Sequence, residues 1–220
     1  PGLNKRRDRW GGPLENRARL ARQVARAVRE EVGDEAAVTA KVSLSDGFKG
    51  GVTTSAGLEL AGLLESDGHL DALQLSGGSS LMNPMYLFRG AAPVDEFAAA
   101  MPLAVRLGMR TPVGRSFMKT YPFEEAYFRE KALRFREQLT MPLMLLGGIN
   151  RLDTMDQAMA DGFELVAMGR ALLREPGLVD RLAAQRGSDG PSPSGVCIHC
   201  NRCMPTIYAP TGTYCPEVPV

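Results

Sequence analysis

Cysteine is absent from the first 196 of the 220 residues, neither sign of charge is in excess, and histidine occurs only at positions 69 and 199. Lysine and arginine total 26 against 25 acidic residues, a net charge of +1. That balance excludes a surface built chiefly to hold nucleic-acid phosphates, which needs a large basic excess to release counterions. Long hydrophobic runs are also missing. The most apolar stretch, 97–105, is interrupted by Pro102 and falls far short of the roughly 20 residues that cross a bilayer. No nucleic-acid or membrane partner is expected. The chain begins Pro1-Gly2-Leu3 without methionine, so its start is expected to be a cut edge, and the lack of a signal peptide says little about targeting.

What is present is an ordinary soluble composition, 44% hydrophobic and 23% charged. Apolar residues at Leu14, Ala18, Ala21, Ala25, Val28 and Val32 recur in steps of four and three, which predicts an amphipathic helix with Pro13 at its start and Gly33 at its end. The segment 38–44 alternates as a strand, with Val38, Ala40, Val42 and Leu44 on one face and Thr39, Lys41 and Ser43 on the other. The pattern continues with a helix over 55–65, a strand at 72–75, a helix over 124–139, a strand at 143–146, a helix from Asp153 to Gly162, a strand at 164–168, and one or two helices over 171–184 around Pro176. Strands alternating with helices predict parallel βα units. Four such strands make half of an eight-stranded barrel, and the other half would lie upstream.

Two segments break this rhythm. Residues 77–123 are rich in glycine and proline and too long for a simple connection. They predict an excursion over one end of the sheet, in which Met82, Met85, Tyr86, Phe88 and Met118 either roof a site or pack a core. Residues 187–195 read as a linker by composition.

Chemistry concentrates at the strand ends. Gly147-Gly148-Ile149-Asn150 and Gly169-Arg170 each follow a strand. Glycines there let backbone N–H groups approach a phosphate, and Arg170 adds a permanently charged fork. Phosphate sites recur after the last two strands of (βα)₈ barrels, although a tight turn alone would use the same glycines. Lys41 faces the barrel axis, where a buried lysine needs an anion. Alternatively, it snorkels at the strand end or pairs with a structural acid. Gln74 sits the same way on the neighbouring strand.

The four cysteines, Cys197, Cys200, Cys203 and Cys215, fall within 19 positions. Three thiolates at two-residue gaps with a distant fourth suit a [4Fe–4S] cluster, and a Cys₄ zinc site fits as well. Metal-free thiols, or His199 replacing a ligand, complete the alternatives. Disulfides are the least favoured.

The stretch 4–12, Asn4-Lys5-Arg6-Arg7-Asp8-Arg9-Trp10-Gly11-Gly12, followed by Glu15-Asn16-Arg17-Ala18-Arg19, resembles the segment after the fourth strand in the old yellow enzyme family of NADH:flavin oxidoreductases. Leu146-Gly147-Gly148-Ile149 and Ala167-Met168-Gly169-Arg170 resemble that family's seventh and eighth strand ends, in the same order. The cysteine tail is similar to the branch containing 2,4-dienoyl-CoA reductase, although the gap from Cys200 to Cys203 is one residue shorter than is typical there.

The resemblance implies the carboxyl-terminal half of an FMN-binding (βα)₈ TIM barrel over 1–186, strands five to eight, followed by the linker and a cysteine-rich tail over 196–220. It implies hydride transfer from NAD(P)H through FMN to an activated alkene, an enone or dienoyl-type small-molecule substrate, in a cytoplasmic enzyme. Gly147, Gly148, Gly169 and Arg170 would hold the FMN phosphate, and Lys41 would stand beside flavin N1. The substrate-anchoring residues of the family lie upstream of Asn4, so the chain alone is expected to be inactive. His69 and His199 match none of those roles and are expected at the surface. Two exposed sheet edges predict aggregation or a homo-oligomer. The competing expectations are a metal-stabilised, non-catalytic half barrel and a flavin-free phosphate-binding barrel.

Overall fold

The structure is a computed structural model describing residues 2–80, 82–187 and 189–218. Pro1 and Val220 lie outside the described residues, as does Ser188 in the stretch read as a linker. Four strands, β1 (Thr39–Ser43), β2 (Ala72–Ser76), β3 (Leu143–Leu146) and β4 (Leu165–Ala167), form one parallel sheet in the order β1-β2-β3-β4. Its register aligns Lys41, Gln74, Met144 and Leu165 in one row across the sheet, and Val42, Leu75, Leu145 and Val166 in the next. Because successive side chains point to opposite faces, the second row packs into the main core with Phe128, Phe135 and Phe163. The first row lies on the other face, with Lys41 and Leu165 exposed. Strand order and register are those of half a (βα)₈ barrel, with the open face turned toward the barrel axis and β1 and β4 as edges.

The helices are α1 (Leu14–Val32), α2 (Thr54–Asp67), α3 (Pro84–Leu87), α4 (Val94–Ala99), α5 (Leu103–Met109), α6 (Pro112–Phe117), α7 (Arg129–Arg136), α8 (Leu152–Ala160), α9 (Arg170–Arg174) and α10 (Leu178–Ala184). Helix α1 spans the predicted residues and ends at Gly33, whose φ of +57° is a conformation glycine adopts freely. Its buried face is narrower than the periodicity suggested. Ala18 and Ala25 are buried, whereas Val28 stays 41% exposed and Ala21 is exposed. The first turn of α2 is capped by Thr53, whose hydroxyl accepts from Ala56 N.

Helix α7 begins five residues later than the periodicity predicts. The chain breaks at Ala126, which has φ +50°, and Glu125 turns back so that its Oε1 accepts from the amides of Asn150 and Arg151 at 2.5 and 2.9 Å. Residues 123–128 thereby form a wall of the βα turn after β3.

The excursion over 77–123 folds into α3 to α6 around its own small core of Met85, Ala98, Met109 and Met118, with Met204 of the tail packed against it. Of the residues singled out there, Met85, Met118 and Tyr86 are core, Met82 is 48% exposed, and Phe88 reaches the site described below. The end of the glycine- and serine-rich stretch is docked: Leu152 N donates to Pro193 O, Gly195 N to Asn150 O, and Asp153 N to the Ser192 hydroxyl. No helix among the described residues is long and apolar enough to cross a membrane.

Candidate functional site

At the carboxyl ends of the strands lies a cavity of about 190 Å³. Lys41 from β1, Gly147 and Gly148 after β3, and Gly169 and Arg170 after β4 all line it. Residues separated by as many as 129 positions are thus brought together because parallel strands present all their carboxyl ends on one side. Lys41 is exposed rather than buried. The open concave face leaves its ammonium in solvent, so the desolvation cost that would demand an anion does not arise within this chain.

The two turns are shaped differently. Gly147 and Gly148 have φ of +126° and +78°, and a Cβ on either would lie 2.7–2.8 Å from the rings of Phe128 or Tyr127. Only glycine fits there. Gly169 has φ −109° and open space around it, so it is permissive rather than required. The amides of Asn150 and Arg151 are committed to Glu125, which leaves an incoming anion the glycine end of that turn.

Arg170 is held from both sides. Its Nη1 donates to Arg89 O at 2.8 Å and to Asn201 Oδ1, and its guanidinium lies 6.0 Å from the centroid of the Phe88 ring. Tyr127, on the cavity wall, donates its hydroxyl to Leu87 O. Burial raises the pKa of that phenol above its ordinary value, partly offset by the Arg170 and Arg89 cations.

Sequence reasoning placed His199 at the surface, yet it lines the cavity. Its ring stacks on Phe123 with centroids 3.4 Å apart and planes 8° apart. Burial and the Arg170 cation push its pKa down to about 4, so it is neutral near pH 7. The only local trace of this placement is backbone conformation: His199 and Asn201 both adopt positive φ, +56° and +60°, which turns the tail back over the strand ends. His69 is half-buried and lies beside Asp67 at a separate surface hollow with Arg22.

The four cysteines are free and half-buried. They line a second cavity, about 160 Å³, together with Arg170, Arg174, Asn201 and Glu217. Arg170 is therefore the wall shared by both cavities. Burial pushes the Cys197 and Cys203 thiols up, partly offset by the Arg170 cation on the same cavity wall. Among the described residues, no three His, Cys, Asp or Glu side chains close on one point as a single metal ion requires.

An open parallel sheet that gathers glycine turns, a lysine and an arginine at its carboxyl end defines the chain as half a (βα)₈ barrel. Comparison with known proteins agrees. An old yellow enzyme homologue from Zymomonas mobilis superimposes with a TM-score of 0.54 at 18% identity, covering 100% of this chain and 48% of that one. Residues 1–66 match the NADH:flavin oxidoreductase / NADH oxidase family. A 4,4'-dithiodibutanoate disulfide reductase of Rhodococcus erythropolis is 52% identical over 98% of this chain and 51% of its own length. A multifunctional alkene reductase/demethylase of Caballeronia cordobensis is 28% identical over 84% of this chain and 23% of its own. The chain is thus similar to members of the NADH:flavin oxidoreductase / NADH oxidase family, and it spans about half the length of the disulfide reductase and 23% of the alkene reductase.

Proposed function

We propose that this chain carries the phosphate-holding half of an FMN site in an enzyme that oxidises NAD(P)H and reduces a small acceptor. The observation that carries the reading is the convergence of Lys41, Gly147, Gly148, Gly169 and Arg170 on one cavity at the strand ends. The glycine turn admits close approach of backbone to a phosphate, and Arg170 supplies a fixed positive charge. When bound, FMN supplies two-electron hydride chemistry between NAD(P)H and the acceptor. Lys41, exposed on the concave face, offers the cation that favours negative charge on the ring system. Tyr127, Phe88 and His199, the last stacked on Phe123, wall the phosphate end.

Two acceptor classes have support. The relative at 52% identity is a disulfide reductase, which favours an organic disulfide: RSSR, NAD(P)H and a proton give two thiols and NAD(P)⁺. The alkene reductase relative supports an activated alkene as the second reading. For the tail, the gathering of all four cysteines on one cavity supports a [4Fe–4S] cluster, with zinc as the alternative.

Flavin absorbance in the purified full-length protein, followed by NAD(P)H oxidation with a dithiodialkanoate or with an enone, tests the reading. Oxidation with the disulfide is the expected result. A protein that binds no flavin overturns the proposal, and turnover with the enone alone moves the acceptor to the second reading. Iron and acid-labile sulfide support the cluster, whereas one zinc per chain overturns it.

A further inference from the structure

The cysteine tail bears on the first cavity directly through His199 and, by way of Arg170, through Asn201. Asn201 is 1% exposed, although it stands between Cys200 and Arg202 in an irregular segment. Its Nδ2 donates to Phe88 O and to Ala91 O, both at 2.8 Å, and its Oδ1 accepts from Arg170 Nη1. The two carbonyls and the guanidinium fix the amide orientation, because each side meets its complement. Asparagine alone suits this position. Aspartate would set a carboxylate against two carbonyl oxygens, glutamine is one methylene too long, and asparagine tolerates the left-handed backbone at φ +60°.

With Nη1 committed to Asn201 and Arg89 O, the guanidinium is held at the wall of the cavity that Gly147, Gly148 and Tyr127 also line, within hydrogen-bonding reach of the Tyr127 side chain. A free arginine would spread its fork over many rotamers, and a held one keeps more of each hydrogen bond it makes. We propose that Asn201 is a positioning residue for the phosphate group of the ligand. It sets the Arg170 guanidinium and thereby ties phosphate recognition to the docking of the cysteine tail. This rests on the proposal that the cavity holds the FMN phosphate.

The test compares FMN with riboflavin, which differ by that phosphate alone, in the full-length protein by quenching of flavin fluorescence. The ratio of the two affinities reads the phosphate site, while riboflavin affinity by itself reads the integrity of the rest. Asn201→Gly keeps the left-handed backbone and removes the side chain. It is expected to lower the FMN-to-riboflavin ratio about 10- to 100-fold, the range for losing one charge-assisted hydrogen bond, with riboflavin affinity unchanged. Arg170→Ala is expected to lower the ratio at least as far, and adding Asn201→Gly to it should lower the ratio no further.

A wild-type ratio preserved in Asn201→Gly overturns the positioning role while leaving the phosphate reading intact. Equal loss of both ligands also overturns it, since that is a merely structural effect. A wild-type protein that does not distinguish FMN from riboflavin overturns the phosphate reading and this inference together. Should Asn201→Gly fail to fold, Arg170→Lys, which keeps the charge and gives up the fork that Asn201 holds, measures the same ratio; a lowered ratio is expected, and a wild-type ratio overturns the positioning role.

Discussion

Phe128 couples the core to the site, and removing its ring gives a measurable test of that coupling. The residue is 1% exposed and packs against Tyr127 and Tyr86, with ring centroids 4.8 and 5.7 Å away. A Cβ built on Gly77 or on Gly147 would lie 2.8 Å from its ring, so the ring fills the space beneath two βα turns. Phe128→Ala loses both the transfer energy and the packing of that space, about 3–5 kcal/mol. Gly147→Ala adds a methyl against the ring, about 1–3 kcal/mol of overpacking, and forces alanine to φ +126°, roughly 1–3 kcal/mol of strain. With the ring gone, only the strain remains. The double variant should therefore be less destabilised than the sum of the singles by about 1–3 kcal/mol. Urea denaturation of the full-length protein, followed by circular dichroism and fluorescence together, measures all three. Additivity within about 0.5 kcal/mol, or a loss below about 1 kcal/mol for Phe128→Ala, would refute the plug.

Other expectations follow from named contacts. Glu65 Oε1 accepts from Thr140 N and Met141 N, both at 2.7 Å, and from the Thr140 hydroxyl. Glu65→Ala should cost about 1 kcal/mol in urea denaturation, since the exposed Thr140 donors can turn to water and only the half-buried Met141 N is left short, and an unchanged midpoint would show that the α7–β3 connection does not depend on this cap. Arg129 holds the Asp161 carboxyl below the usual carboxylate range through paired hydrogen bonds. That stability is fully present above the unfolded carboxylate value near 4 and fades as pH falls through the lower folded value. Asp161→Asn should be less stable at pH 7 and lose less than wild type on acidification, which parallel stability–pH curves would contradict. His199 works in a different window. Unfolded histidine takes its proton near 6.5, whereas the folded ring does so only at about 4. Stability should decline as pH falls between those values and level off below, by about 1–2 kcal/mol after allowing for solvent at this half-buried site. His199→Phe should flatten that slope in a pH series of urea midpoints.

Local sequence carried a large part of this fold. The spacing of Ala18 and Ala25 and the glycine at 33 set α1, and strand β3 occupies its predicted residues, because these depend on neighbours within a turn or two. The glycines at 147, 148 and 169 were legible for the same reason: each follows an apolar strand directly. The late start of α7 was not, since the periodicity of Phe128, Ala132 and Phe135 continues past the break. The departure serves Glu125, whose hydrogen-bond partners lie 25 and 26 residues away.

The sequence by itself determined the alternation of strands and helices, the family resemblance, and the residue types available at each strand end. Only the tertiary structure decided which of them meet. It exposed Lys41 on an open concave face, docked the stretch read as a linker against Asn150 and Leu152, and turned a surface histidine into a cavity wall. It also gave Asn201 three partners that lie 31 to 113 residues away. Contacts at such separations leave no periodicity in the chain, because they are set by how sheet, excursion and tail close on one another.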